Sequence, residues 1–78
     1  MNADEMFEKL GYKLEIDVPT NFIYQDKENN KEIRFWKIDK CVEVSLIGVE
    51  DYEGNSMFFT MQELQAINKK VEELGWLE

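Results

Sequence analysis

Apolar residues recur along the chain with two periods, and each period predicts a different element. Residues 61–74 carry them at spacings of three and four, which is typical of a helix with one buried side. Thr60 and Glu63 have the spacing of a capping box, and Gly75 suits the left-handed residue that ends many helices. We therefore predict a C-terminal helix whose buried stripe consists of Met61, Leu64, Ile67, Val71 and Leu74.

A shorter helix is predicted at the start of the chain. Asn2 is a good N-cap residue, Glu5 favours the positive end of the helix dipole, and Gly11 can end the helix. Because the helix has barely three turns, we expect packing rather than propensity to stabilise it. Its apolar face consists of Ala3, Met6, Phe7 and Leu10.

The middle of the chain has the two-residue period of strands. Residues 12–18 alternate strictly and stop at Pro19, which predicts a half-buried strand or an extended segment along a sheet edge. Asn29-Asn30 is predicted as a hairpin tip and Asp39-Lys40 as a two-residue turn. Three further strands are predicted, at residues 22–26, 32–38 and 41–48.

These elements define the expected fold. Residues 49–56 are predicted to form a loop and residues 57–59 a short last strand that leads into the C-terminal helix. The prediction is one α+β domain over residues 1–78, with a short N-terminal helix and a four- to five-stranded antiparallel meander. The C-terminal helix, at about residues 61–74, is expected to pack on one sheet face.

The turn at Asp39-Lys40 makes a testable register. It sets Ile38 opposite Cys41 and Phe35 opposite Val44, and an equivalent turn at Asn29-Asn30 sets Tyr24 opposite Phe35. One face of the sheet then faces the helix and forms the core. It carries Ile33, Phe35, Val42, Val44 and Leu46.

The other sheet face is unusually apolar for a solvent-exposed surface, and Arg34 is expected near Glu43 on it. Either residues 12–18 or a loop cover this face, or it binds a protein partner or a second copy of the chain. Trp76 either folds back onto the end of the C-terminal helix or anchors a partner. The candidate interaction surface consists of Ile23, Arg34, Trp36, Ile38, Ile47 and Trp76.

Composition argues against an enzyme. The chain has no histidine, so Ser-His and Cys-His pairs cannot be built, and Cys41 is its only cysteine, which excludes an internal disulfide and a Cys/His zinc site. The acidic loop at residues 49–56 lacks the spacing of an EF-hand. We predict no catalytic, cofactor-binding or metal-binding residue, and therefore no cofactor.

The net charge of −8 affects the choice of partners. An acidic surface repels phosphate backbones and anionic membranes, so we expect neither direct nucleic-acid binding nor membrane binding. A single reduced cysteine, with no signal peptide and no long apolar run, predicts a cytoplasmic protein. The alternative function is an acidic nucleic-acid mimic that inhibits a host DNA-acting enzyme, with Glu50, Asp51 and Glu53 at phosphate-like spacing.

Two terminal segments, MFEKLGY at residues 6–12 and LQAINKKVEELGW at residues 64–76, resemble the ends of short proteins encoded by prophages and related mobile elements of Gram-positive bacteria. The resemblance implies a phage-derived cytosolic protein and no particular activity. A chain of 78 residues forms a marginal core, which a partner chain often supplements. We therefore predict a small non-enzymatic protein-interaction module that binds a protein partner or itself, as a homodimer.

Overall fold

The computed structural model describes residues 1–47 and 58–77. The predicted loop at residues 49–56, and Met57 of the predicted last strand, lie outside the described residues. Phe58 and Phe59 are not in a strand, and the sheet formed by residues 1–47 and 58–77 has four strands. The elements are α1 (Ala3–Lys9), β1 (Lys13–Val18), β2 (Asn21–Asp26), β3 (Lys31–Trp36), β4 (Cys41–Leu46) and α2 (Met61–Leu74), which confirms the α+β prediction.

Both helices begin at reciprocal capping boxes. In α1, Asn2 Oδ1 accepts a hydrogen bond from the Glu5 N–H at 2.8 Å, and the Glu5 carboxylate accepts one from the Asn2 N–H at 3.0 Å. Thr60 and Glu63 make the same exchange at 3.0 and 2.7 Å. Gly75 ends α2 at φ 74°, in the left-handed region that glycine tolerates. The predicted caps are confirmed.

The sheet is an antiparallel meander in the order β1-β2-β3-β4. Its hairpins turn at Asn29-Asn30 and Asp39-Lys40 as predicted, but the two-residue length expected of both turns is wrong. Residues 27–30 and 37–40 form four-residue turns, and the last residue of each, Asn30 or Lys40, has a positive φ. In the first turn Asp26 accepts hydrogen bonds from the backbone N–H and the Nδ2 of Asn29, at 3.2 and 2.7 Å. A polar side chain that bonds the backbone three residues on thus favours the longer turn.

The longer turns shift the register by two residues. Phe35 lies opposite Val42 rather than Val44, and Tyr24 lies opposite Ile33 rather than Phe35. Because side chains alternate with a period of two, a shift of two keeps every side chain on its predicted face. The predicted core face is therefore correct although its pairs are not.

Both helices pack on that core face, called here the helix-covered face. Its interior is aromatic: the rings of Phe7 and Tyr24 stack at 4.2 Å, and those of Phe22 and Phe35 stack at 4.8 Å. Parallel stacks joined by edge-to-face contacts add to the stabilisation from burial. The buried cluster consists of Phe7, Tyr12, Phe22, Tyr24, Ile33, Phe35, Ala66 and Ile67.

The buried side of α2 differs from the predicted stripe. Ile67 is buried as predicted, but Met61 is 62% exposed, and Glu63 and Ala66 lie inside instead. In this orientation Glu63 and Lys70, which a hydrophobicity pattern assigns to solvent, have partners within the fold. The side of α2 that faces the sheet therefore carries paired charges as well as apolar residues.

Candidate interaction surface

The face of the sheet opposite the helices, called here the second face, is organised in rows of side chains. One row crosses all four strands, from Ile16 through Ile23 and Arg34 to Glu43. The next row places Trp36 opposite both Asn21 and Cys41. Arg34 and Glu43 are therefore directly opposite each other, which agrees with the expectation that they lie close together.

Arg34, Trp36 and Glu43 form a cluster on the second face. The Arg34 guanidinium lies 5.0 Å from the centroid of the Trp36 ring, within range of a cation–π contact. Trp36 Nε1 donates a hydrogen bond to Glu43 Oε1 at 3.2 Å. These contacts hold the indole against the sheet and leave it half-buried.

Ile23 and Ile38 are placed very differently on this face. Ile23 is only 2% exposed, so it contributes almost no accessible area to this face. Ile38, in the turn between β3 and β4, is 77% exposed. Among the predicted surface residues, Ile38 therefore offers accessible apolar area beside Trp36.

The other two predicted residues lie elsewhere. Ile47 follows β4, six residues beyond Cys41, which places it about 20 Å from the Trp36 row. Trp76 lies in the helix layer, where its ring is 6.3 Å from that of Phe35. The Trp76 N–H donates to the Val71 carbonyl at 3.0 Å, so the residue folds back onto the end of α2, one of the two predicted alternatives.

Strand β1 adds two residues that the sequence did not indicate. It pairs with β2 at the sheet edge and does not cover the second face, but its register shifts between Leu14 and Ile16. Leu14 therefore faces the helix side, whereas Ile16 and Val18 lie on the second face. The predicted strand along the sheet edge is confirmed, but its half-burial is not, since all six residues of β1 are exposed. We call the exposed apolar set on and beside the second face the Trp36 patch: Ile16, Val18, Trp36 and Ile38.

The free edge of β1 is poorly suited to pairing with a second copy of itself. A bulge interrupts its pleat at Glu15, the strand also carries Lys13 and Asp17, and Pro19 follows it. Charges, bulges and proline are the features that prevent edge-to-edge association in natural sheets. Self-association by pairing of two β1 edges is therefore disfavoured.

A buried polar network on the helix side was not predicted. The Glu63 carboxylate accepts hydrogen bonds from Tyr12 Oη at 2.5 Å and from Lys31 Nζ at 2.8 Å. Burial alone would raise the pKa of Glu63, but these bonds and that from the Thr60 N–H lower it. Burial and the bond to Glu63 raise the pKa of Tyr12. A carboxylate held in its charged form by three donors is suited to joining α2 to β3 and to the segment between α1 and β1, rather than to proton transfer.

A second carboxylate, that of Asp4, likewise contacts a tyrosine hydroxyl and a lysine. Tyr24 Oη donates a hydrogen bond to Asp4 Oδ1, and Lys70 Nζ lies 3.4 Å from the same oxygen. The bond from Tyr24 lowers the pKa of Asp4, with a further contribution from Lys70. Burial raises the pKa of Tyr24, and its bond to Asp4 adds to that shift. Both lowered carboxyl pKa values are the reverse of what a general acid requires.

Comparisons with known proteins and a search for metal-ligating groups give no further assignment. No family model, no curated protein and no solved structure matches the chain. Residues 1–47 and 58–77 contain no group of three or more acidic or cysteine side chains arranged to hold a metal ion. In that same part of the chain, no helix is long and apolar enough to cross a membrane.

Proposed function

We propose that this protein is a small, non-enzymatic protein-interaction module that forms a homodimer through the Trp36 patch. The observation that carries the proposal is the exposure of Ile38, Ile16 and Val18 on or beside a sheet face that the helices leave open. Exposed apolar patches on soluble proteins commonly mark contact sites. The proposal includes a phage or mobile-element origin and a cytoplasmic location, which rest on the resemblance of the two termini and on composition.

The geometry favours a symmetric contact between two copies of the second face. In a two-fold dimer the same patch is used twice, so an apolar surface is its own complement. Arg34 and Glu43 carry opposite charges on adjacent strands, and each can meet the opposite charge of the partner copy across a two-fold axis. These features support face-to-face association without any change in the fold.

The size of the face predicts a weak dimer. Four strands of six residues span about 19 by 20 Å, or roughly 400 Å² in projection. A standard interface buries about 800 Å² on each partner. We therefore expect a dissociation constant on the order of 10 µM or weaker, which requires measurements up to high protein concentration.

Sedimentation velocity over a wide range of concentration tests the proposal. We expect the wild-type sedimentation coefficient to rise with concentration, and Ile38→Lys and Trp36→Lys to remain monomeric. Ile38 is exposed in a turn, so its substitution leaves the fold intact even if Trp36→Lys does not. The matched control is Leu77→Lys, because Leu77 is also exposed but follows α2 in the helix layer. A wild-type monomer at all concentrations, or a dimer that neither variant weakens, would contradict self-association.

The acidic-mimic alternative makes a different prediction. Glu50, Asp51 and Glu53 lie outside the described residues, and the buried positions of Asp26 and Glu32 remove two other carboxylates from the surface. If the alternative is right, neutralising the three loop acids together abolishes capture of a DNA-acting host enzyme, and Trp36→Lys does not. The reverse result supports the interaction module.

A further inference from the structure

A cleft opens on the helix side of the sheet, between β1 and the C-terminal half of α2. Its volume is about 170 Å³. Leu14, Phe22 and Leu74 are the apolar residues that line it. Leu14 is exposed because the bulge of β1 turns it to this side and neither helix covers it. The cleft therefore has an apolar part and lies on the opposite side of the sheet from the Trp36 patch.

Two lysine side chains from distant parts of the chain converge on the Phe22 ring. Lys37 Nζ lies 5.7 Å and Lys70 Nζ lies 5.4 Å from the ring centroid. One side of this ring is stacked on Phe35, so the ammonium groups lie on the side that faces the cleft. Cation–π attraction to one ring offsets part of the repulsion between the two charges.

The cleft is close to neutral in a strongly acidic chain, because each of its two lysines is paired with a carboxylate. Its described lining contains two cations, Lys37 and Lys70, and one anion, Asp17, in a chain of net charge −8. Lys37 Nζ lies 2.8 Å from Asp17, and Lys70 Nζ lies 3.4 Å from Asp4. An ammonium group has three hydrogen-bond donors, so each lysine can bind another acceptor while it keeps its carboxylate partner.

We propose that this cleft binds a small amphipathic monoanion, a carboxylate with a short apolar tail. The carboxylate bridges Lys37 and Lys70, and the tail lies between Leu14 and Leu74 over the edge of Phe22. The cleft is smaller than the 300–1,000 Å³ of sites for drug-sized ligands, which limits the ligand to roughly six to ten non-hydrogen atoms. For so small a ligand in an open cleft, we expect a dissociation constant on the order of 1 mM.

Titration with sodium hexanoate, followed by NMR of the full chain, tests the proposal. We expect saturable shifts of the Leu14 and Leu74 methyl groups, the Phe22 ring and the two lysine Nζ groups. Acetate supplies the charge without the tail, and 1-hexanol supplies a tail of similar length without the charge. Both should bind at least tenfold more weakly than hexanoate, because each makes only one of the two contacts.

Substitutions separate binding from a purely structural role of the lysines. Lys70→Met and Lys37→Met keep the aliphatic stems that cover Phe22 but should weaken hexanoate binding about tenfold. Lys69→Met, one residue along α2, should leave binding unchanged, and Asp17→Asn should strengthen it severalfold by releasing Lys37. Trp36→Lys should have no effect, since it lies on the other side of the sheet. Equal hexanoate affinity in the lysine variants and the wild type, or shifts that map outside the cleft, would overturn the proposal.

Discussion

The two faces of the sheet use charged residues in opposite ways. On the helix-covered side, Lys31 and Glu63 form an ion pair that is largely withdrawn from solvent and joins β3 to α2. On the second face, Arg34 contacts the half-buried indole of Trp36 and lies 3.8 Å from Glu32, with its Nε buried and unbonded within the described part of the chain. Charge thus contributes to the fold on one face and borders an open apolar surface on the other.

The largest expected difference between the faces is in the free energy of unfolding lost when a large side chain is removed, and two neighbouring residues of β3 allow the comparison. Phe35 is fully buried and stacked on Phe22, whereas Trp36 is half-buried on the second face. Phe35→Ala should reduce the free energy of unfolding by about 3–5 kcal/mol, a large share of the stability of a domain this size. Trp36→Ala should cost about 1 kcal/mol.

Urea denaturation monitored by far-UV circular dichroism measures both losses. It is done at a protein concentration where sedimentation gives a monomer, so that loss of association does not add to the effect. Similar losses for the two variants would mean that the second face is as much a core as the helix-covered face.

The second prediction compares two lysines. Lys31→Met leaves the buried Glu63 carboxylate without its cation and should cost about 3 kcal/mol, because an uncompensated buried charge is strongly destabilising. Lys27→Met removes an exposed cation that lies 3.1 Å from Glu15 and should cost less than about 0.5 kcal/mol. Thermal or urea unfolding of both variants measures the difference. If Lys31→Met is as stable as Lys27→Met, the buried network does not stabilise the fold.

The pH dependence of stability should come from the helix-covered side. The pKa values of Glu63 and Asp4 are lower in the folded than in the unfolded chain, so their stabilisation is present above the unfolded values near pH 4 and is lost as the pH falls through the folded ones. We expect the free energy of unfolding to fall from pH 5 to pH 2, and Glu63→Gln to flatten that fall. Glu28→Gln, in an exposed turn, is the control. Parallel pH profiles for the wild type and Glu63→Gln would contradict the assignment.

The sequence predicted those features of the fold that are set by residues close together along the chain. The capping box at Thr60 and the left-handed Gly75 were predictable because each motif lies within four residues. The two turns were located correctly, but their four-residue length was not predictable, since a positive φ on Lys40 has no signal in the sequence such as glycine would give. The bulge in β1 was also invisible, because residues 12–18 alternate as a regular strand would.

The candidate surface was predicted in part for the same reason. The position of Trp36 follows from strand periodicity, which survives a register shift of two residues, whereas β3 ends before Ile38, which lies in the turn. The position of Trp76 depends on how the end of α2 meets Phe35, and the burial of Glu63 depends on Tyr12, 51 residues away along the chain. No periodicity within either segment contains that information.

The smallest expected effect on the free energy of unfolding is that of replacing Arg34, on the second face. Arg34→Met keeps a long apolar side chain over Trp36, and it removes the charge and the buried, unbonded Nε. Loss of the cation–π contact and of the attraction to Glu32 and Glu43 should cost a few tenths of a kcal/mol, and removal of an unsatisfied donor should offset that cost. We therefore expect the free energy of unfolding to change by less than about 0.5 kcal/mol, against about 3 kcal/mol for Lys31→Met on the other face. A loss above 2 kcal/mol would show that Arg34 belongs to a buried network like that of Lys31, and the contrast between the two faces would then fail.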